Sequence, residues 1–293
     1  MSDLAAFSQY LHESGRKART VRAYVSDVAR YMAWCEREYG LAFSETMLNR
    51  SDLHDYQVAC RKNDRTKAAT WNRYMASLSA FAAWIGIQIG DALSRAESQK
   101  LAPKSLNKPE FKRFRLAVLD AIRTAKSDTA KRQAQRNAVV VTLLADAGLR
   151  EGEVVHLRVQ DVLLGERKGR VLVYDAKGNK DRVIPIDKDS VDMIKAWLAV
   201  RPTLDSTDAL LVGKFGESLQ ERGIQKLVAG IAKAARIDHV TPHMLRHTAA
   251  YRWRENGADL VQIATLLGHS SIEVTRRYTL PHWEDLEGIV DVT

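Results

Sequence analysis

The sequence predicts a mainly α protein with a small β-hairpin or sheet, in which an all-helical unit precedes an α+β unit. Three observations predict it. Apolar residues recur at three- and four-residue steps through residues 4–85. Two short apolar runs, 170–174 and 182–186, flank a turn at Gly178-Asn179. Capping signals open late segments: Thr241 before Pro242, and Ser270-Ser271-Ile272-Glu273. With 293 residues, 45% hydrophobic and 28% charged, the chain suits two domains with real cores.

Taken in order, Ser2 and Asp3 cap a helix over residues 4–14, and Gly15-Arg16-Lys17 breaks it. A longer helix starts at Thr20, with Val21, Tyr24, Val25, Val28, Tyr31, Met32 and Cys35 on one face, and Gly40 ends it. Ser51-Asp52 opens a third helix carrying Leu53, Tyr56 and Val58. A polar segment, 61–65, precedes a fourth helix over 66–85, whose stripe of Trp71, Tyr74, Met75, Leu78, Phe81 and Trp84 reads as core. These helices make a small helical bundle over residues 1–95. Residues 96–110, basic and holding Pro103 and Pro109, read as a linker, and 111–293 as the second domain.

In that domain an apolar helix over 137–147 ends at Gly148, and a helix follows over 151–159. The hairpin comes next; Pro185 confines its second strand to an edge or a strand end. Helices are expected at 190–200 and 220–235, with a short strand at 209–212. Further helices run from Thr241 to Asn256, over 259–267 closed by Gly268, and from Ser270 through Tyr278.

Composition narrows function. No apolar run approaches the ~20 residues of a membrane helix. Met1-Ser2-Asp3-Leu4 has no basic region leading into an apolar stretch, so no signal peptide is expected. Cys35 and Cys60 read as reduced, buried thiols, and the expected location is cytoplasmic. The 45 Lys and Arg against 36 Asp and Glu, a net +9, favour a polyanionic partner such as nucleic acid. Glycine-rich nucleotide cradles and paired-cysteine metal motifs are missing from the sequence.

What remains are basic residues at element boundaries. His243, Arg246 and His247 share one helix face. As metal ligands the two histidines would set Arg246 beside the ion and Met244 where a hydrolase wants Glu. An ordinary polar helix start is a second reading. Phosphate binding is the third: a helix N-terminus offers free N–H groups, and a guanidinium matches phosphate oxygens. Arg150, just after Gly148, sits where a turn aims it outward, and Glu153 is placed to pin it. Lys177 and Lys180 lie at the hairpin tip, and His269 follows Gly268.

Four motifs in this order, Ala147-Gly148-Leu149-Arg150-x-x-Glu153, Lys177-Gly178-Asn179-Lys180-x-Arg182-x-x-Pro185, His243-x-Leu245-Arg246-His247 and Leu266-Leu267-Gly268-His269-Ser270-Ser271 ahead of Tyr278-Thr279, resemble the tyrosine recombinase (phage integrase) family. The likeness is nearest to its compact, two-domain, Xer-like members and spans residues 137–279 by motif. The first domain resembles the family's helical core-binding domain, through Thr20-x-x-x-Tyr24 and the stripe from Trp71 to Trp84. Where many relatives carry a histidine directly after Tyr-Thr, this chain reads Leu280-Pro281-His282.

The resemblance implies a site-specific recombinase. Arg150 and Arg246 would neutralise a scissile phosphate, Tyr278 would attack it, His243 would take the phenolic proton, His269 would donate a hydrogen bond and Lys177 would protonate the leaving 5′-oxygen. Glu153 and His247 would support them, and Lys180 would share phosphate contacts. The product would be a 3′-phosphotyrosine, with no metal, ATP or other cofactor. Arg16, Lys17, Arg19, Arg61, Lys62, Arg65 and Lys67 are candidate backbone-phosphate contacts on double-stranded DNA. The family implies a clamp around a duplex and a tetramer, of identical or paralogous protomers, on two recombination sites. A DNA-relaxing enzyme with the same chemistry and a catalytically silent DNA-binding regulator are the alternatives.

Overall fold

The structure is a computed structural model that describes residues 2–64, 66–89, 103–174, 181–202, 207–213, 215–269 and 272–279, with the side chains at 2, 62–64, 273 and 277 outside that description. The chain divides into two compact units, residues 1–99 and 100–293.

The first unit is helical: α1 (Ser2–Glu13), α2 (Ala18–Tyr39), α3 (Arg50–Asp64) and α4 (Ala68–Trp84), with a short 3-10 turn before α3. The periodic positions supply its core. Phe7, Val28, Tyr31, Leu53, Tyr56, Trp71, Leu78 and Phe81 are all buried, and the aromatic stripe of α4 points inward as expected. Cys35 and Cys60 are both buried in this unit. Asp27 is buried as well; Arg73 and Ser77 each donate to its Oδ2 at 2.8 Å, so the carboxylate is hydrogen-bonded on site.

The second unit opens with a helix that the linker reading missed, α5 (Lys108–Thr124). The expected linker therefore overlaps a helix at 108–110. Pro109 falls in the first turn, where its missing N–H costs nothing, and Asn107 forms a capping box with Glu110. Leu106, just upstream, is core, and its N–H donates to Thr248 Oγ1. Next comes α6 (Asp128–Ala145), which starts well before residue 137. Ser127 caps it, and its first turns are too polar to show an apolar period. The stretch from Ala138 to Ala145 is buried without interruption and forms the centre of the core.

After α7 (Glu151–His156) the chain does not stay helical to 159. Arg158 forms an antiparallel bridge with Ala209, and Leu210 N–H donates to Leu157 O, so the backbone is drawn out straight. Three strands follow, β1 (Val162–Leu164), β2 (Gly169–Val173) and β3 (Arg182–Ile186), in antiparallel order β1-β2-β3. The two expected strands pair, and the turn expected at Gly178-Asn179 lies outside the described residues; β3 is an edge, a place that suits Pro185, and β1 adds a third strand. Residues 209–212 form isolated bridges, not a strand.

The remaining helices among the described residues are α8 (Lys188–Val200), α9 (Glu221–Ala234), α10 (Pro242–Glu255), α11 (Leu260–Leu267) and α12 (Ile272–Arg276). Thr241 Oγ1 caps α10 by accepting from Met244 N at 3.2 Å. The last helix stops before Tyr278, which lies in a 3-10 turn, Arg277–Thr279, rather than in the helix expected there. Side chains take the local carbonyls: Thr279 Oγ1 donates to Arg276 O at 2.7 Å, and Arg254 donates to Tyr278 O. Among the described residues no helix is long and apolar enough to cross a membrane.

Candidate active site

Two glycine turns bring the basic motifs together. Gly148 ends the α6 segment at φ +64°, and Gly268 caps α11 at φ +63°, a backbone region that side-chain-bearing residues rarely adopt. Both are also tight. A Cβ on Gly148 would stand 2.6 Å from the Trp253 ring, and one on Gly268 would stand 2.8 Å from Arg182 Nη1. The first turn delivers Arg150 and the second delivers His269.

Glu153 is the hub. Its Oε1 accepts from Arg150 Nη1 at 2.8 Å and Arg182 Nη1 at 2.9 Å. Its Oε2 accepts from Arg182 Nη2 at 2.8 Å and from the Arg150 main-chain N–H at 2.7 Å, and Arg246 Nη1 stands 3.7 Å away. Glu153 thus pins Arg150 as the spacing suggested, and holds two further guanidiniums besides. Burial alone would raise its pKa; the bonds and charge of Arg182, then Arg150 and Arg246, outweigh that and hold it down to about 2.

Arg246 is buried on α10 and fastens two turns, donating to Gly148 O at 2.7 Å and Leu267 O at 2.6 Å. Burial first, and then the adjacent Arg150 charge, push its pKa down to about 9, against the opposing pull of Glu153. It remains a cation at neutral pH, but one short of compensating charge. Arg150 Nη2 completes a series by donating to Gly268 O at 3.2 Å. Its side chain is 39% exposed, which leaves it open to an outside anion.

Tyr278 is fully buried beside this cluster. Its hydroxyl shares a 2.8 Å hydrogen bond with His247 Nδ1. The His269 ring lies parallel to the Tyr278 ring at 6.4 Å, and Tyr251 meets it edge-on at 5.4 Å. His269 Nδ1 shares a 2.8 Å hydrogen bond with Thr275 Oγ1. His243 is exposed, its ring 6.5 Å from that of His247.

So the structure gathers Arg150, Glu153, Arg246, His247, His269 and Tyr278 in one place, with His243 at its edge. Lys177 and Lys180 lie outside the described residues, as does Arg65, and so does the side chain of Lys62. Arg16, Lys17, Arg19, Arg61 and Lys67 are exposed residues of the first unit. Lys17 and Lys67 are the N-cap positions of α2 and α4, and neither helix start has a side-chain cap. His243 and His247 are not joined by a third ligand: among the described residues no group of three or more His, Cys, Asp or Glu is placed to hold a metal. Sequence reasoning missed Arg182 as a site residue. Its signal was visible, a charged residue on the inward register of an otherwise apolar strand.

Fold and site define a two-unit protein with a helical first unit and a second unit that presents an arginine pocket next to a tyrosine. Residues 113–283 match the model of the phage integrase family, and residues 4–86 match the phage integrase N-terminal SAM-like domain. Tyrosine recombinase XerD of Listeria monocytogenes is 31% identical over 295 residues, covering 95% of this chain and 94% of the relative. Tyrosine recombinase XerC of Corynebacterium glutamicum is 31% identical over 274 residues, covering 90% and 82%. In fold, the chain is similar to the XerH site-specific recombinase solved with its difH substrate in a pre-cleavage complex, at TM-score 0.72 and 21% identity, covering 93% of this chain and 79% of that one. The chain belongs to the phage integrase family and is a Xer-like tyrosine recombinase, a site-specific DNA recombinase.

Proposed function

We propose that this recombinase breaks and rejoins duplex DNA through a covalent link between Tyr278 and a 3′-phosphate. The observation that carries the reading is the convergence of Arg150 and Arg246 on one carboxylate, 2.8 and 3.7 Å from Glu153, with the Tyr278 hydroxyl held by His247, the residue next to Arg246. Two guanidiniums share one compensating carboxylate with Arg182, so the pocket carries excess positive charge. A phosphodiester, whose equatorial oxygens gain negative charge under attack, is stabilised by such a pocket. A preorganised donor of this kind contributes roughly 10²–10³ in rate.

In the forward step the Tyr278 oxygen bonds to phosphorus and the bond from phosphorus to the 5′-oxygen breaks. The phenolic proton passes to a base, assigned to His243 by its motif, and the 5′-oxygen takes a proton from Lys177. His269 donates to the phosphate. Because the ring is buried and its hydroxyl engaged by His247, attack requires the 277–279 turn to release that bond. A 5′-hydroxyl of a second duplex reverses the step and exchanges strands. The bond energy stays in the phosphotyrosine, so the reading calls on neither ATP nor a metal ion. It assigns double-stranded DNA with specific sites as partner, four protomers on two sites, identical or paralogous, and a cytoplasmic location. Exposed Arg16, Lys17, Arg19, Arg61 and Lys67, with the open starts of α2 and α4, are assigned to backbone phosphates, along with Lys62, Arg65 and Lys180.

The test is a duplex nicked beside the scissile phosphate, which lets the 5′-product diffuse away and traps the covalent form. The parent protein should give a protein–DNA adduct and Tyr278→Phe none, with DNA affinity changed less than about twofold. A parent that binds the site and never forms an adduct overturns the chemistry and leaves a silent regulator. Adducts without joined products from two sites would indicate a relaxing enzyme.

A further inference from the structure

The geometry points to Arg182 as a positioning residue of the active site, one that neutralises Glu153 so that the charges of Arg150 and Arg246 are left for the scissile phosphate. This rests on the phosphotyrosine reading above and adds to it a residue that acts without touching DNA. Arg182 is buried, its side chain 7% exposed, at the first residue of β3. Its donors are spent inside the protein. Nη1 and Nη2 bind both oxygens of Glu153, at 2.9 and 2.8 Å, and Nε donates to Leu266 O at 2.9 Å. This is a two-pronged pair, the strongest geometry available between these groups. Arg150 gives Glu153 only one side-chain nitrogen, and Arg246 stands off at 3.7 Å.

The carbonyls tell the same story. Arg182, Arg246 and Arg150 donate in turn to Leu266 O, Leu267 O and Gly268 O, three consecutive residues at the negative end of α11. Arg182 thereby ties the edge strand β3 to the turn that carries His269. Gly268 leaves the space for it, since a Cβ there would meet Arg182 at 2.8 Å. Without Arg182, the full charge of Glu153 falls on Arg150 and Arg246, and it draws Arg150 inward.

The expected signature is compensation. In single-turnover adduct formation on the nicked duplex, Arg182→Gln should be slowed at least tenfold, with duplex affinity within about threefold of the parent. The double variant, Arg182→Gln with Glu153→Gln, removes a matched positive and negative charge and should recover at least threefold over Arg182→Gln. Relative to the parent, Arg182→Gln should also recover rate as pH falls below about 5, because Glu153 without its main partner titrates nearer the ordinary carboxylate range and its protonation removes the charge that draws on Arg150 and Arg246. Arg182→Lys keeps the buried charge with fewer contacts and safeguards the fold; it should form adduct at least threefold faster than Arg182→Gln. An Arg182→Lys variant as slow as Arg182→Gln, or a double variant no faster than Arg182→Gln, overturns the inference. A parent that makes no adduct overturns the phosphotyrosine reading instead, so the two failures are distinct.

Discussion

The Tyr278 hydroxyl and His247 Nδ1 share a 2.8 Å hydrogen bond, although 31 residues separate them in the chain. His247 follows Arg246 directly on α10, so the helix that holds this buried guanidinium also holds the tyrosine. In the proposed reaction the bond couples two things that must separate: the buried packing of the ring and the freedom of its oxygen.

That coupling is measurable. His247→Ala and Tyr278→Phe each delete the same bond, which is worth about 0.5–1.5 kcal/mol net. A double-variant cycle followed by urea denaturation should therefore show a coupling energy of about 1 kcal/mol, with the double variant less destabilised than the sum of the singles. Additive losses would mean that the two groups do not stabilise one another.

Glu153 sets an acid limit on stability. Its pKa falls from 4.5 to about 2 on folding, so the folded state favours the charged carboxylate. For a depressed carboxylate the stabilisation is complete above the unfolded value and is lost as pH falls through the folded one. The window is thus about pH 4.5 down to 2. The shift corresponds to about 3 kcal/mol at neutral pH. Glu153→Gln should cost about that much at pH 7, and parent and variant should converge near pH 2 in acid-unfolding curves. A constant gap across the range would contradict this.

Much of this was legible from residue order. The buried faces of α2 and α4 follow from their apolar periods, and α10 begins where Thr241-Pro242 places it. Arg150, Arg246 and Tyr278 stood out by motif. Three features did not, each for a physical reason. α5 and the start of α6 are polar on the outside and begin beside Pro109 and after Ser127, where composition resembles a loop. Tyr278 lies past the helix end, and its carbonyl is taken by Arg254, 24 positions back, a partner that no local pattern shows. Arg182 showed only as a charge on an inward strand register; its partners, Glu153 and Leu266, lie 29 and 84 positions away and only the fold brings them near.

Gly268 should tolerate no side chain. At φ +63°, alanine pays about 1–2 kcal/mol of backbone strain, and its Cβ would also fall 2.8 Å from Arg182 Nη1. Gly268→Ala should lower stability by at least that strain in a denaturant titration and slow adduct formation roughly tenfold or more, because the carbonyl that Arg150 uses and the ring of His269 move with the turn. Parent-like stability and rate together would remove Gly268 from the site's construction.

The first unit makes its own prediction through salt. Lys67 is exposed at the uncapped start of α4, where free N–H groups and the helix dipole already favour an anion. If it meets one phosphate, it releases about one condensed counterion, and the log–log slope of affinity against salt carries about −0.9 for that contact. Lys67→Gln should make the slope shallower by about 0.9 in fluorescence anisotropy across a potassium chloride series, weakening binding to all sequences alike. Lys17→Gln at the start of α2 should do the same independently, since each contact releases its own ion. A variant that weakens binding with the slope unchanged would assign that lysine to fold or base contact rather than to the backbone. A variant with affinity and slope both unchanged would take that helix start off the DNA altogether.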